Sequence, residues 1–319
     1  MGKPITRLNP KIESSVQKTF LETAIGLLLS IALVLPRQEI IKRGPKPYDY
    51  RKVLVICVLR VLLRKTYADY EIEMRTDKRV CDPLGFIILP SKSTIQRGMN
   101  ILTMDLLREF NRLLIQKWIN RKLNVLIDAS GIRIIGRSIW YYLRIKKKIS
   151  RRECDKVHLA ICRDTLLILN WFITEGKRHD SPFFSRLLFP FKWLGEVLAD
   201  AGYLSRSNYQ FVTDRHGAAF IPFKKNSTAK PKSNPAWKAA FYLWKAVPMI
   251  FKGIYNQRSK VEMVFSVLKK RYGDQLYSKG AYRRRREFAL RLIAYNIKLI
   301  ICLEYAKEHN LSCWVRAKQ

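Results

Sequence analysis

The stretch Tyr255–Gly273 reads YNQRSKVEMVFSVLKKRYG, and at helical period it separates into two faces. Spacings of three, four and seven put Tyr255, Arg258, Glu262 and Lys269 within roughly a 60° arc of one helix at 3.6 residues per turn. Val261, Val264, Phe265 and Leu268 fall on the neighbouring side, the pattern of an amphipathic helix lying on a sheet. The polar face therefore looks away from that core. Glu262 is the first acidic residue after Asp214, and a lone carboxylate in so cationic a segment is easiest to explain as a ligand. The plainer account of the same face is local ion pairing, with Arg258 and Glu262 at i,i+4.

Upstream of this stretch, LNVLIDASG and WLGEVLADAGY each read as an apolar strand that ends on an aspartate, Asp128 and Asp200. Taken singly, each is explained as a strand-end turn residue that caps its own backbone. Asp180 also follows a strand, and capping of the next helix accounts for it.

The pattern Tyr-x2-Arg-x3-Glu-x6-Lys matches, residue for residue, the signature of one large group of DDE transposases from prokaryotic insertion sequences. The sequence resembles that family from about Leu123 to Tyr277, with the two strand aspartates in the expected order. The resemblance implies a ribonuclease H-like mixed α/β sheet and a catalytic, metal-holding set of Asp128, Asp200 and Glu262. It also implies Mg²⁺, with Mn²⁺ as a substitute, and hydrolysis at the 3′ end of the element. Attack of the freed 3′-OH on target DNA follows, without a covalent enzyme intermediate. The chemistry accords with the residue types. Phosphodiester cleavage needs an activated oxygen and neutralisation of phosphoryl charge, which paired divalent ions supply. Hard ions take carboxylate oxygens, and three carboxylates converging without a cation repel one another. Arg258 and Lys269 would then grip DNA phosphates, Arg bidentately and Lys as a point charge, and Tyr255 would stack on an unpaired base or reach a phosphate.

Composition points the same way independently. The 319 residues carry 61 Lys and Arg against 25 Asp and Glu, a net charge of +36, which calls for a polyanionic partner. A hyperthermophile surface would enrich Glu along with Lys. With 48% hydrophobic residues the chain has enough apolar mass for a core and about two domains. Cys57, Cys81, Cys154, Cys162, Cys302 and Cys313 show no CxxC and no zinc spacing, so they read as reduced thiols of a cytoplasmic, nucleoid-associated protein. The longest apolar run, Ala24 to Pro36, falls short of the roughly 20 residues of a membrane helix and reads as a buried helix.

Residues 1–118 are expected to form a helical DNA-binding or dimerisation domain. Within it LPSKSTIQRGMNIL offers serine caps and a helix bearing Lys92, Thr94, Gln96 and Arg97, able to reach base edges or phosphates if it enters a groove. A polar face of a helical bundle explains the same residues. Residues 119–319 are expected to form the catalytic domain. Its strands run to Asp128 and through Ser138–Ile145, Val157–Cys162 and Leu166–Ile173. A helix capped near Asp180 follows, then a strand to Asp200, a helix near Ser205 and a strand in AAFIPF. Strand patterning by itself leaves other mixed α/β sheets open.

Two basic segments are candidates for tracking double-stranded DNA. One holds Arg144, Lys146, Lys147, Lys148, Arg151 and Arg152 in an acid-free run. The other, Lys224–Lys252, interleaves lysines with Trp237, Phe241, Tyr242 and Trp244, and it is too short for a large β insert. After Tyr282 one long buried helix is expected. The reading is a transposase acting as a homo-oligomer, a dimer, on element ends and target DNA. A structure-specific nuclease of the same fold, or a catalytically silent DNA-binding derivative, are the alternatives.

Overall fold

The computed structural model describes residues 5–37, 47–134, 154–229 and 234–316. It divides into two units, residues 1–116 with 278–319, and residues 117–277. The first unit opens with a short strand, β1 (Ile5–Leu8), and helices α1 (Pro10–Gln17), α2 (Phe20–Val34), α3 (Tyr50–Leu62), α4 (Tyr67–Thr76), α5 (Lys78–Cys81), α6 (Lys92–Gly98) and α7 (Met104–Ile115). The starts of these helices are written in the sequence. The side chains of Asn9, Asp49, Thr66, Ser91 and Thr103 each accept a backbone N–H of the first turn, satisfying donors that have no partner within the helix. α3 is buried continuously from Val53 to Leu59, as the central helix of a helical core must be.

The second unit is built on a mixed sheet of β2 (Leu123–Ile134), β3 (Cys154–Cys162), β4 (Ile168–Glu175), β5 (Leu194–Ala199) and β6 (Ala218–Phe220) in the order β4-β3-β2-β5-β6. β2, β3 and β4 form an antiparallel meander, whereas β5 and β6 run parallel to β2. This topology, with flanking helices α8 (Ser181–Leu188), α9 (Arg206–Thr213), α10 (Pro235–Ala246), α11 (Pro248–Tyr255) and α12 (Lys260–Tyr272), is the ribonuclease H-like fold. A two-residue strand, β7 (Gln275–Leu276), pairs with the far end of β2. The central strands are apolar on both faces, as a sheet covered by helices on both sides requires. The expected strand at 138–145 lies outside the described residues.

One strand boundary differs from the sequence reading. β2 does not stop at Asp128 but runs on to Ile134, because β3 continues to pair with it, Ala129 opposite His158 through to Arg133 opposite Cys154. Asp128 is a mid-strand residue, so the strand-end explanation for it falls.

After β7 the chain returns to the helical unit as α13 (Ala281–Glu308) and β8 (Trp314–Arg316), which pairs antiparallel with β1. α13 is buried on nearly every side from Glu287 to Cys302 and packs on α1, α2, α3 and α7. Its buried polar groups are matched there: Arg291 bonds Glu287 at 2.5 Å, and Asn296 donates to Asn111 at 2.7 Å. The sequence division at 119–319 assigns these last residues to the sheet domain, and the structure corrects it. A helix apolar all round needs neighbours on all sides, and the helical core supplies them. Among the described residues no single helix is long and apolar enough to cross a membrane, although the bent pair α1 and α2 passes by length and composition. The six cysteines are free thiols.

Candidate functional site

Parallel pairing of β2 with β5 sets Ile127 opposite Ala199, so the next residues, Asp128 within β2 and Asp200 just past the end of β5, follow adjacent strands whose spacing is about 4.8 Å. Each carboxylate is oriented by the amide that follows it. Asp128 Oδ1 accepts from Ala129 N at 2.9 Å, and Asp200 Oδ1 accepts from Ala201 N at 2.6 Å. Asp200 thereby caps the short 3₁₀ turn Ala201–Tyr203, so the capping role foreseen for it is real and coexists with its place beside Asp128. The second oxygen of Asp128 receives Arg258 Nη1 at 2.9 Å, and Arg258 Nη2 reaches Glu262 Oε1 at 3.1 Å. One guanidinium thus ties the strand aspartate to the helix glutamate.

The signature stretch is not one uninterrupted α-helix. α11 ends at Tyr255, residues Asn256–Ser259 form a 3₁₀ turn, and α12 starts at Lys260. Ser259 Oγ donates back to Asn256 O at 3.0 Å, an i−3 bond that suits the tighter turn. The faces expected from the spacing survive: Val261, Val264, Phe265 and Leu268 are buried. Glu262 is exposed. Lys269 Nζ crosses to Ser130 Oγ on β2 at 2.9 Å. The half-buried Tyr255 ring stacks on Phe251 at 6.2 Å and lies 5.8 Å from the Arg258 guanidinium.

Electrostatics follow from this packing. Burial raises the Asp128 pKa, the Ala129 amide and Arg258 oppose the rise, and the Asp200 charge adds to it. Burial works against the Arg258 charge, yet Asp128, Tyr255, Asp200 and Glu262 outweigh it and raise the guanidinium further. Tyr255 is raised, first by burial. Among the described residues no group of three or more His, Cys, Asp or Glu is gathered closely enough to hold a metal ion. The positive charge among these acids is supplied by Arg258.

The remaining expected residues are scattered. Arg97 is exposed on the seven-residue α6, its Nε turned back to Ser93 O at 3.3 Å. Lys146, Lys147, Lys148 and Arg151 lie outside the described residues. In the second basic segment Trp237 and Phe241 are core residues packed with Phe223 and Tyr209, and exposed lysines 224, 225 and 245 surround them. Asp180 does not cap α8 with its side chain; instead it forms an ion pair with Lys156 of β3. Sequence reasoning missed the buried His158, held between Tyr203 and Thr174. Its signal was a histidine inside the apolar strand VHLAIC, together with the tyrosine in DAGY.

The ribonuclease H-like sheet, with one acid on β2 and another directly after β5, defines the class of fold. The chain belongs to the transposase DDE domain family, whose profile matches residues 120–297. It is a transposase-type enzyme of a family that acts on DNA and generally uses divalent ions. No curated protein matches this chain. Among solved structures it is similar to a piggyBac transposase chain from a cryo-EM synaptic complex with hairpin DNA, at 11% identity and a TM-score of 0.44, covering 99% of this chain and 80% of that one.

Proposed function

We propose that this chain is a transposase of the prokaryotic insertion-sequence group with the Tyr-x2-Arg-x3-Glu-x6-Lys signature. It binds element ends, cleaves the DNA by metal-dependent hydrolysis and joins the 3′-OH ends to target DNA. The observation that carries this reading is the juxtaposition of Asp128 on β2 with Asp200 at the end of the neighbouring parallel strand β5, with Arg258 connecting Asp128 to Glu262. The donor set fits a hard divalent cation: the candidate ligands are carboxylate oxygens, and the acids already require a cation among them, a charge that Arg258 provides in this structure. Asp128, Asp200 and Glu262 would hold Mg²⁺ or Mn²⁺. Bound there, the ions would activate the attacking oxygen and neutralise charge on the phosphate and leaving group.

The chain's own residues supply the rest. For all three acids to hold an ion, Glu262, exposed on α12, would exchange its bond to Arg258 for the cation. Arg258 and Lys269 then face the scissile phosphate, and the Tyr255 ring packs against the flanking nucleotide. The helical residues 1–118, together with the basic runs, bind the element ends and pair two chains. The experiment is strand cleavage of end-bearing duplex DNA with Mg²⁺ or Mn²⁺, followed by capture of the 3′ ends in a target plasmid. Cleavage without joining would make the chain a nuclease, and DNA binding indifferent to metal would make it a silent derivative.

A further inference from the structure

On the face of the sheet opposite Asp128, His158 projects from β3 next to Ala129, because neighbouring residues of a strand point to opposite faces. Its side chain is wholly buried and stacked on Phe183 with ring centroids 4.5 Å apart. Both ring nitrogens are engaged, Nδ1 with the Tyr203 hydroxyl at 3.1 Å and Nε2 with Thr174 Oγ1 at 3.2 Å. Thr174 has a single hydroxyl proton, and it lies toward the carbonyls of Glu175 at 3.3 Å and Lys156 at 3.5 Å. With that proton so used, Thr174 can accept from His158 Nε2–H, and in that tautomer the Nδ1 lone pair accepts from the Tyr203 O–H, with Asp180 Oδ1 3.7 Å from Nδ1. Burial holds the imidazole pKa down to about 4, so the neutral form this scheme needs is the one present near neutrality.

Tyr203 closes the turn that begins at Asp200. Two further contacts grip that turn. Asn208 Nδ2 donates to Tyr203 O at 2.7 Å, and a Cβ at Gly202 would stand 3.2 Å from Asp180 Oδ2, so a larger residue there would make Asp180, with its Lys156 partner, give by a few tenths of an ångström. We propose that His158 and Tyr203 are positioning residues that brace the Asp200 turn from behind and thereby set where the Asp200 carboxylate meets Asp128. This rests on the reading of Asp200 as a metal ligand. Neither residue touches DNA or ion; the effect passes through the 201–203 turn, as outer-shell partners tune a ligand.

The test is Mn²⁺ titration of the full chain by electron paramagnetic resonance, without DNA, alongside metal-free DNA binding and thermal melting. Tyr203→Phe removes one oxygen and should weaken Mn²⁺ affinity about 10-fold or more while leaving metal-free DNA binding at the wild-type level. Two substitutions of His158 separate its nitrogens. His158→Asn keeps an acceptor at the Nδ1 position and should stay near wild type, whereas His158→Gln keeps only the Nε2-like donor and should resemble Tyr203→Phe. The ¹⁵N signature of His158 should be that of the Nε2–H tautomer. If wild type binds Mn²⁺ and Tyr203→Phe binds it equally well, the brace is refuted alone. If wild type binds no Mn²⁺, the metal reading falls and this inference falls with it.

Discussion

Arg258→Ala gives the sharpest test of the site, because the structure makes Arg258 the counter-ion of the acids it sits among. The side chains of Arg258 and Asp128 are 18% and 17% exposed, and that of Glu262 is 62% exposed. Breaking a fully buried pair leaves an uncompensated charge and costs about 3–5 kcal/mol. The Asp128 half is part-buried, so about 2 kcal/mol is the appropriate scale. The Glu262 half is an exposed i,i+4 pair and adds roughly 0.3–0.5 kcal/mol. For a domain of this size a loss of that order lowers Tm by about 5–10 °C. The same deletion removes a positive charge competing with a cation, so Arg258→Ala should bind Mn²⁺ more tightly, and a fixed Mg²⁺ concentration should raise its Tm more than that of wild type. Differential scanning calorimetry of both proteins, with EDTA and with Mg²⁺, measures both effects. A variant that melts with wild type in EDTA and gains no more from Mg²⁺ would refute the counter-ion role.

Asp128→Asn, Asp200→Asn and Glu262→Gln should each abolish Mg²⁺-dependent strand cleavage and leave DNA binding largely intact; cleavage at the wild-type rate by any one removes that residue from the site. Lys269→Ala breaks the bond to Ser130 and should slow cleavage without changing Mn²⁺ affinity, checked by single-turnover kinetics beside metal titration. Joint removal of Lys146, Lys147 and Lys148 should flatten the dependence of log DNA affinity on log salt by about 0.9 for each phosphate they neutralise, measured by filter binding. His158 sets a pH trend. With a folded pKa of about 4 against about 6.5 when unfolded, the unfolded chain binds more protons between those values. Stability should therefore fall as pH drops from about 6.5 toward about 4. Thermal melts should show this slope in wild type and a shallower one in His158→Gln.

Local chemistry already legible in the sequence accounts for much of the fold. Serine, threonine, asparagine and aspartate before apolar runs mark helix starts, and the helical period of Val261, Val264, Phe265 and Leu268 marks the buried side of α12. Such signals lie within a few residues of one another, so they survive without knowledge of the rest of the chain. The pairing of Asp128 with Asp200 is expected from their order, but only the parallel register of β2 and β5 makes them neighbours. Three features were decided by tertiary structure alone. β2 continues beyond Asp128 because β3 offers it a partner. α13 belongs with the helical unit, since its apolar surface is satisfied by helices distant in sequence. Arg258, assigned from its face to a DNA phosphate, is also bonded to Asp128, 130 positions away. A helical wheel shows which way a guanidinium points but not which carboxylate the folded chain brings to meet it, because that depends on the register of strands the wheel does not contain.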